Sequence, residues 1–149
     1  PTVYGSKLEE EDLRDIMLAH LNTIFEGNAT GETFSKLGKT DIHLRIQKGE
    51  IFIAECKFWD GEKLFLESID QLFKYLTWRR NYASIVIFSR NTGFTDVLNT
   101  IEETISKHST YSSGLQRVKD SHFQAVHRFP GDPKKEVEIH YLIFNLSTT

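Results

Sequence analysis

Apolar residues recur at helical spacing over residues 7–26, where Leu13, Ile16, Met17, Leu21, Ile24 and Phe25 mark one face. The acids of this stretch gather toward its start, the end where a helix dipole favours them. Gly27 supplies a stop, and the Gly-, Thr- and Ser-rich segment NATGETFSKLGKT leaves room for a short strand around residues 30–34. The period then changes to two: Ile42, Leu44 and Ile46 alternate with Asp41, His43 and Arg45. Lys48-Gly49 predicts a turn, and residues 50–58 a returning strand. Its run Ile51-Phe52-Ile53-Ala54 is continuously apolar, as in a strand covered on both faces.

Helical spacing resumes over 64–80 with Leu66, Ile69, Leu72, Phe73 and Leu76. A buried strand at 84–88, a helix at 94–107 and a surface loop, HSTYSSG, follow. Strands at 122–129 and 137–146 close the chain, divided by the turn PGDP. There is no repeat, low-complexity tract or linker. The order predicts an α/β fold, a mixed sheet flanked by helices. The 149 residues suit a single domain with one core.

Composition narrows the class. With 39% apolar and 26% charged residues the chain has the make-up of a globular domain. No apolar run approaches the roughly 20 residues a membrane helix needs. Cys56 is the sole cysteine, so no internal disulfide can form, and a cytoplasmic setting is expected. The start, PTVYGSKLEEE, has neither a secretory pattern nor an initiator Met, which suits a trimmed chain or a domain of a longer one. The net charge of −3 does not advertise nucleic-acid binding. Six of the acids, however, lie within residues 1–26, leaving the remainder slightly basic.

The chemistry concentrates in GKTDIHLRIQKGEIFIAECKFW. Glu55 and Lys57, two apart on a strand, emerge on one face about 6–7 Å apart. Asp41 opens the preceding strand, and a short hairpin could bring it beside Glu55. Two neighbouring carboxylates repel, and a divalent cation relieves that repulsion. Oxygen ligands suit Mg²⁺ or Mn²⁺, with the Cys56 carbonyl as a neutral donor between the charged pair. Such an ion activates water, and Lys57 could orient that water or neutralise developing charge.

Gly38-Lys39-Thr40-Asp41-Ile42 followed by Ala54-Glu55-Cys56-Lys57 resembles the PD-(D/E)xK nuclease superfamily, with Thr40 where the pattern has Pro. Gln71-Leu-Phe-Lys-Tyr75 is similar to the QxxxY motif of its RecB-like branch, and four residues apart on a helix the two share a face. The resemblance covers residues 7–90. It implies a restriction endonuclease-like core and Mg²⁺-dependent (or Mn²⁺-dependent) phosphodiester hydrolysis. Asp41, Glu55 and the Cys56 carbonyl would be ligands, Lys57 and Gln71 would assist, and Tyr75 would contact DNA or the water. A first-helix acid often supports the metal in such proteins. Glu11 is the first choice, with Glu10 and Glu32 as alternatives. Lys39 and Arg79 are candidates for substrate contact.

Simpler roles stand beside these. Cys56 reads as a small core residue and His43 as a solvated strand residue. Arg79-Arg80 reads equally as a solvated helix end or a phosphate contact, and His127 and His140 receive no role. The expected function is a DNA endonuclease, the cutting domain of a restriction or antiviral effector, either self-associating or part of a longer chain. The alternative is a nuclease-fold module that binds nucleic acid or protein without cutting; uptake of Mg²⁺ or Mn²⁺ separates the two.

Overall fold

The most apolar segments of the chain become the parallel strands at the centre of one sheet. The computed structural model describes Asp12, Met17 and Ala19 and residues 29–33, 41–46, 51–76 and 81–147, with the backbone alone at 29–33, 41–46, 51 and 81. In chain order the elements are β1 (Ala29–Thr33), β2 (Asp41–Ile46), β3 (Ile51–Phe58), α1 (Glu62–Tyr75), β4 (Asn81–Ser89), α2 (Phe94–Ile105), β5 (Tyr111–Lys119), β6 (His122–Phe129) and β7 (Asp132–Asn145). The seven strands form a sheet ordered β1-β2-β3-β4-β7-β6-β5. β4 lies parallel to both β3 and β7, while the other neighbouring strands pair antiparallel. The protein is therefore α/β with a mixed sheet.

Alternation along the central strands feeds two cores. Ile53, Ile85, Ile87, Ile139, Tyr141 and Ile143 face one way and pack against α1 and α2. Phe52, Ala54, Val86, Phe88 and Leu142 face the other way and enclose Met17, a helical residue with no exposed surface. Both faces of β3 and β4 therefore carry buried apolar side chains, as in strands covered on both sides. Ile69 and Leu72 of α1 and Ile101 and Ile105 of α2 are fully buried, each stabilising the fold by about 1.5–3 kcal/mol. The β3–α1–β4 unit is a crossover between parallel strands. Its sharp entry is made at Gly61, whose φ of 95° is a conformation other residues avoid.

Three elements differ from the sequence-based expectation. α1 ends at Tyr75 rather than at 80: Leu76 is extended, with ψ of 129°. β4 already begins at Asn81, so a helix running to 80 would leave no residues for the turn. β7 begins at Asp132, ahead of residue 137, because its polar first half pairs with β6 outside the core. β5 replaces much of the expected HSTYSSG loop. It is an edge strand, largely exposed, with irregular register and Gly114 at φ 74°, so it never shows the alternation that marks a half-buried strand. Among the described residues no helix is long and apolar enough to cross a membrane.

Candidate active site

The β2–β3 ladder sets the acids of the hairpin opposite each other. Asp41 pairs with Glu55, Ile42 with Ala54 and His43 with Ile53. Opposed positions of an antiparallel ladder share a face, with Cβ atoms about 4.5–5.5 Å apart. Parallel pairing extends the same rung to Ile85 and Tyr141, and antiparallel pairing carries it on to Phe123. Glu55 is consequently a carboxylate at the boundary of an apolar row, and only 2% of it is exposed.

Burying a carboxylate is costly unless opposite charge or hydrogen bonds compensate. Lys57, two residues on and on the same face, places Nζ 3.5 Å from Glu55 Oε1. The lysine side chain is itself 42% exposed, so the pair spans the border between core and solvent. Cys56 turns to the opposite face, half-buried against the Met17 core. Its main-chain carbonyl lies between the two charged residues.

α1 brings Gln71 to this border. Lys57 and Gln71 both line a pocket of about 280 Å³ between the end of β3 and α1, together with Trp59, Leu64 and Phe65. Phe65, Ile69 and Leu72 hold the helix against the sheet. Tyr75, one turn beyond Gln71, is half-buried and packs on the principal core, not on the pocket wall. Glu11, Glu10, Lys39, Arg79 and Arg80 lie outside the described residues, and the backbone alone is described at Asp41, His43 and Glu32.

The donor set fits a hard divalent cation: two carboxylate-bearing positions on one rung and a main-chain carbonyl beside them. Among the described side chains no three His, Cys, Asp or Glu converge on one point, and Asp41 falls outside that count.

A second polar assembly joins α1 to β6 and β7 through residues far apart in the chain. Asp70, adjacent to Gln71 on the exposed side of α1, accepts from His108 Nε2 at 2.8 Å. His108 Nδ1 lies 2.7 Å from Thr110 Oγ1, which lies 2.8 Å from His127 Nδ1; His127 Nε2 lies 2.7 Å from the Tyr141 hydroxyl. The backbone N–H of Thr110 also donates to His108 Nδ1, so that nitrogen is an acceptor. This fixes the direction of the whole chain. Tyr141 donates to His127, His127 to Thr110, Thr110 to His108, and His108 to the Asp70 carboxylate. Every member is satisfied in that direction and in no other. Burial, and secondarily the nearby His108, lowers the His127 pKa to about 4, while burial raises that of Tyr141. The assembly ties α1, and with it Gln71, to β6 and β7. Its members are spread from residue 70 to 141, and no local pattern marks them.

Comparison of the chain with protein-family models, with curated proteins and with solved structures finds no match.

Proposed function

We propose that this protein is a divalent-cation-dependent phosphodiesterase, a nuclease acting on DNA, with a restriction endonuclease-like core and a cytoplasmic setting. One observation carries the proposal: Asp41 and Glu55 occupy one rung while Lys57 stands 3.5 Å from Glu55 at the solvent border. Two acids on one rung repel, and a divalent cation held between them would relieve that repulsion.

Asp41, Glu55 and the Cys56 carbonyl would hold Mg²⁺ or Mn²⁺. Bound there, such a cation supplies activation of water and neutralisation of charge on the phosphoryl oxygens. The remaining steps fall to side chains. Lys57 presents its ammonium on the open side of Glu55, where it holds the incoming water or a phosphoryl oxygen. Gln71, on the pocket wall beside it, offers both a donor and an acceptor to orient that water. In the hydrolysis, the water oxygen bonds to phosphorus, one P–O ester bond breaks, and a proton passes to the leaving oxygen.

The test is incubation of the protein with supercoiled plasmid and with linear DNA in Mg²⁺ or Mn²⁺, beside Asp41→Asn and Lys57→Ala. Nicked or linearised plasmid with the parent protein and intact plasmid with both variants is the expected result. Loss from linear ends alone would make the enzyme an exonuclease. Cleavage by the variants at the parental rate would remove the assignment. Cation uptake by none of them would point instead to a module that binds without cutting.

A further inference from the structure

The pocket beside Lys57 is more than a phosphodiester needs. A duplex backbone passing the sheet edge requires a shallow charged surface, since a phosphate does not enter an apolar cavity. Here the wall behind the ammonium is apolar: Trp59, Leu64, Phe65 and Ile87 line it. Trp59 is half-buried and rests on Phe65 with ring centroids 6.1 Å apart and planes tilted by 52°, which fixes the indole while leaving part of it open. Leu64 is 45% exposed, one of few large apolar side chains so placed among the described residues, and helps no core.

The polar groups complete a pattern. Lys57 stands at one end, and the Gln71 amide makes no hydrogen bond to any described residue. An amide with free donor and acceptor matches the edge of a nucleobase. Asp60 and Glu67 also line the pocket. Their charge repels a phosphate chain from the interior but not a neutral base. The volume, about 280 Å³, suits a small flat ring system rather than a stretch of polymer.

We infer that this pocket receives the base of an unpaired nucleotide, stacked on Trp59 and met by Gln71, with its phosphate at Lys57, so that the substrate is single-stranded or locally unpaired nucleic acid. The inference rests on the phosphodiesterase proposal for the site but is tested apart from it. Stacking of a base on an aromatic side chain is sequence-tolerant and strong enough to change affinity by about ten-fold or more.

The experiment measures binding of three labelled probes to the full chain carrying Glu55→Gln: a short oligothymidylate, an abasic strand of the same length and charge, and a duplex. Expected is binding of the oligothymidylate about ten-fold tighter than of either other probe. Trp59→Ala should remove that preference without changing affinity for the abasic strand, and Trp59→Phe should restore much of it. Leu64→Ala, at an exposed position that cannot unfold the core, should weaken the preference in the same direction. Equal affinity for oligothymidylate and abasic strand, or tighter binding of the duplex, would overturn the inference. Cation-dependent plasmid cleavage with no base preference would leave the phosphodiesterase proposal standing and sink this one. Base-dependent binding without cleavage of any substrate by the parent protein would do the reverse.

Discussion

Lys57 Nζ stands 3.5 Å from Glu55 Oε1, with the lysine side chain 42% exposed and the glutamate side chain 3% exposed. The asymmetry makes the two substitutions unequal. Glu55→Gln removes a buried charge, and the fold should keep or gain stability while cleavage is lost, as where a site is held at the expense of the fold. Lys57→Ala withdraws the ammonium and leaves the carboxylate in place. Because Lys57 is partly solvated, the loss should be about 1–2 kcal/mol, below the range for fully buried pairs. Urea titrations of the two variants check this; a Glu55→Gln protein markedly less stable than Lys57→Ala would contradict it.

The rung shared by Asp41 and Glu55 sets a second expectation. A ligand that binds the folded state alone raises stability by about 2.7 kcal/mol at a hundred times its dissociation constant. Thermal melts should therefore rise with Mn²⁺ for the parent protein and stay flat for Asp41→Asn and Glu55→Gln. A parental rise that survives in both variants would place the cation elsewhere.

Stability should fall in mild acid because of His127. Its pKa is held at about 4 in the folded protein, chiefly by burial, against an ordinary 6.5. The unfolded chain takes up the proton first as pH drops below 6.5, so stability is full above that value. It is lost progressively down to about pH 4, where the folded state protonates too. The total is about 3 kcal/mol at 1.36 per pH unit. His140, also lowered by burial, acts in the same direction but is partly exposed. His127→Phe should flatten most of the slope between pH 6.5 and 4, read as urea midpoints at several pH values. An unchanged slope would assign the effect to other groups.

Gly114 sits in edge strand β5 at φ 74°, and an added Cβ would meet Val126 Cγ2 at 3.6 Å, an ordinary contact. Space is not the obstacle; the backbone is. Gly114→Ala should cost about 1–2 kcal/mol through the left-handed conformation alone. Calorimetric melting measures it, and a neutral result would mean that β5 relaxes to a regular strand.

Much of the central layer was legible in the sequence because its signals are local. The period of two at 41–46, the apolar run of β3 and the helical stripe of α1 each declare themselves within a dozen residues. The ExK spacing alone put Glu55 and Lys57 on one face. The far edge of the sheet was not legible in full, because β5 is exposed and irregular and shows none of the alternation that burial imposes. Nothing local marks Trp59 either: it becomes a pocket wall only when α1 folds back across the end of β3.

Local pattern is enough to put Glu55 and Lys57 on one side of their strand and Cys56 on the other, since side-chain direction follows from backbone period. Tertiary structure alone decided which residues meet. The rung joining Asp41 to Glu55 depends on a register, the pocket at Lys57 on a crossover, and the Asp70–His108–Thr110–His127–Tyr141 chain on contacts between residues far apart in sequence. Those pairings are set by how whole elements pack, and no short stretch of the chain contains that information.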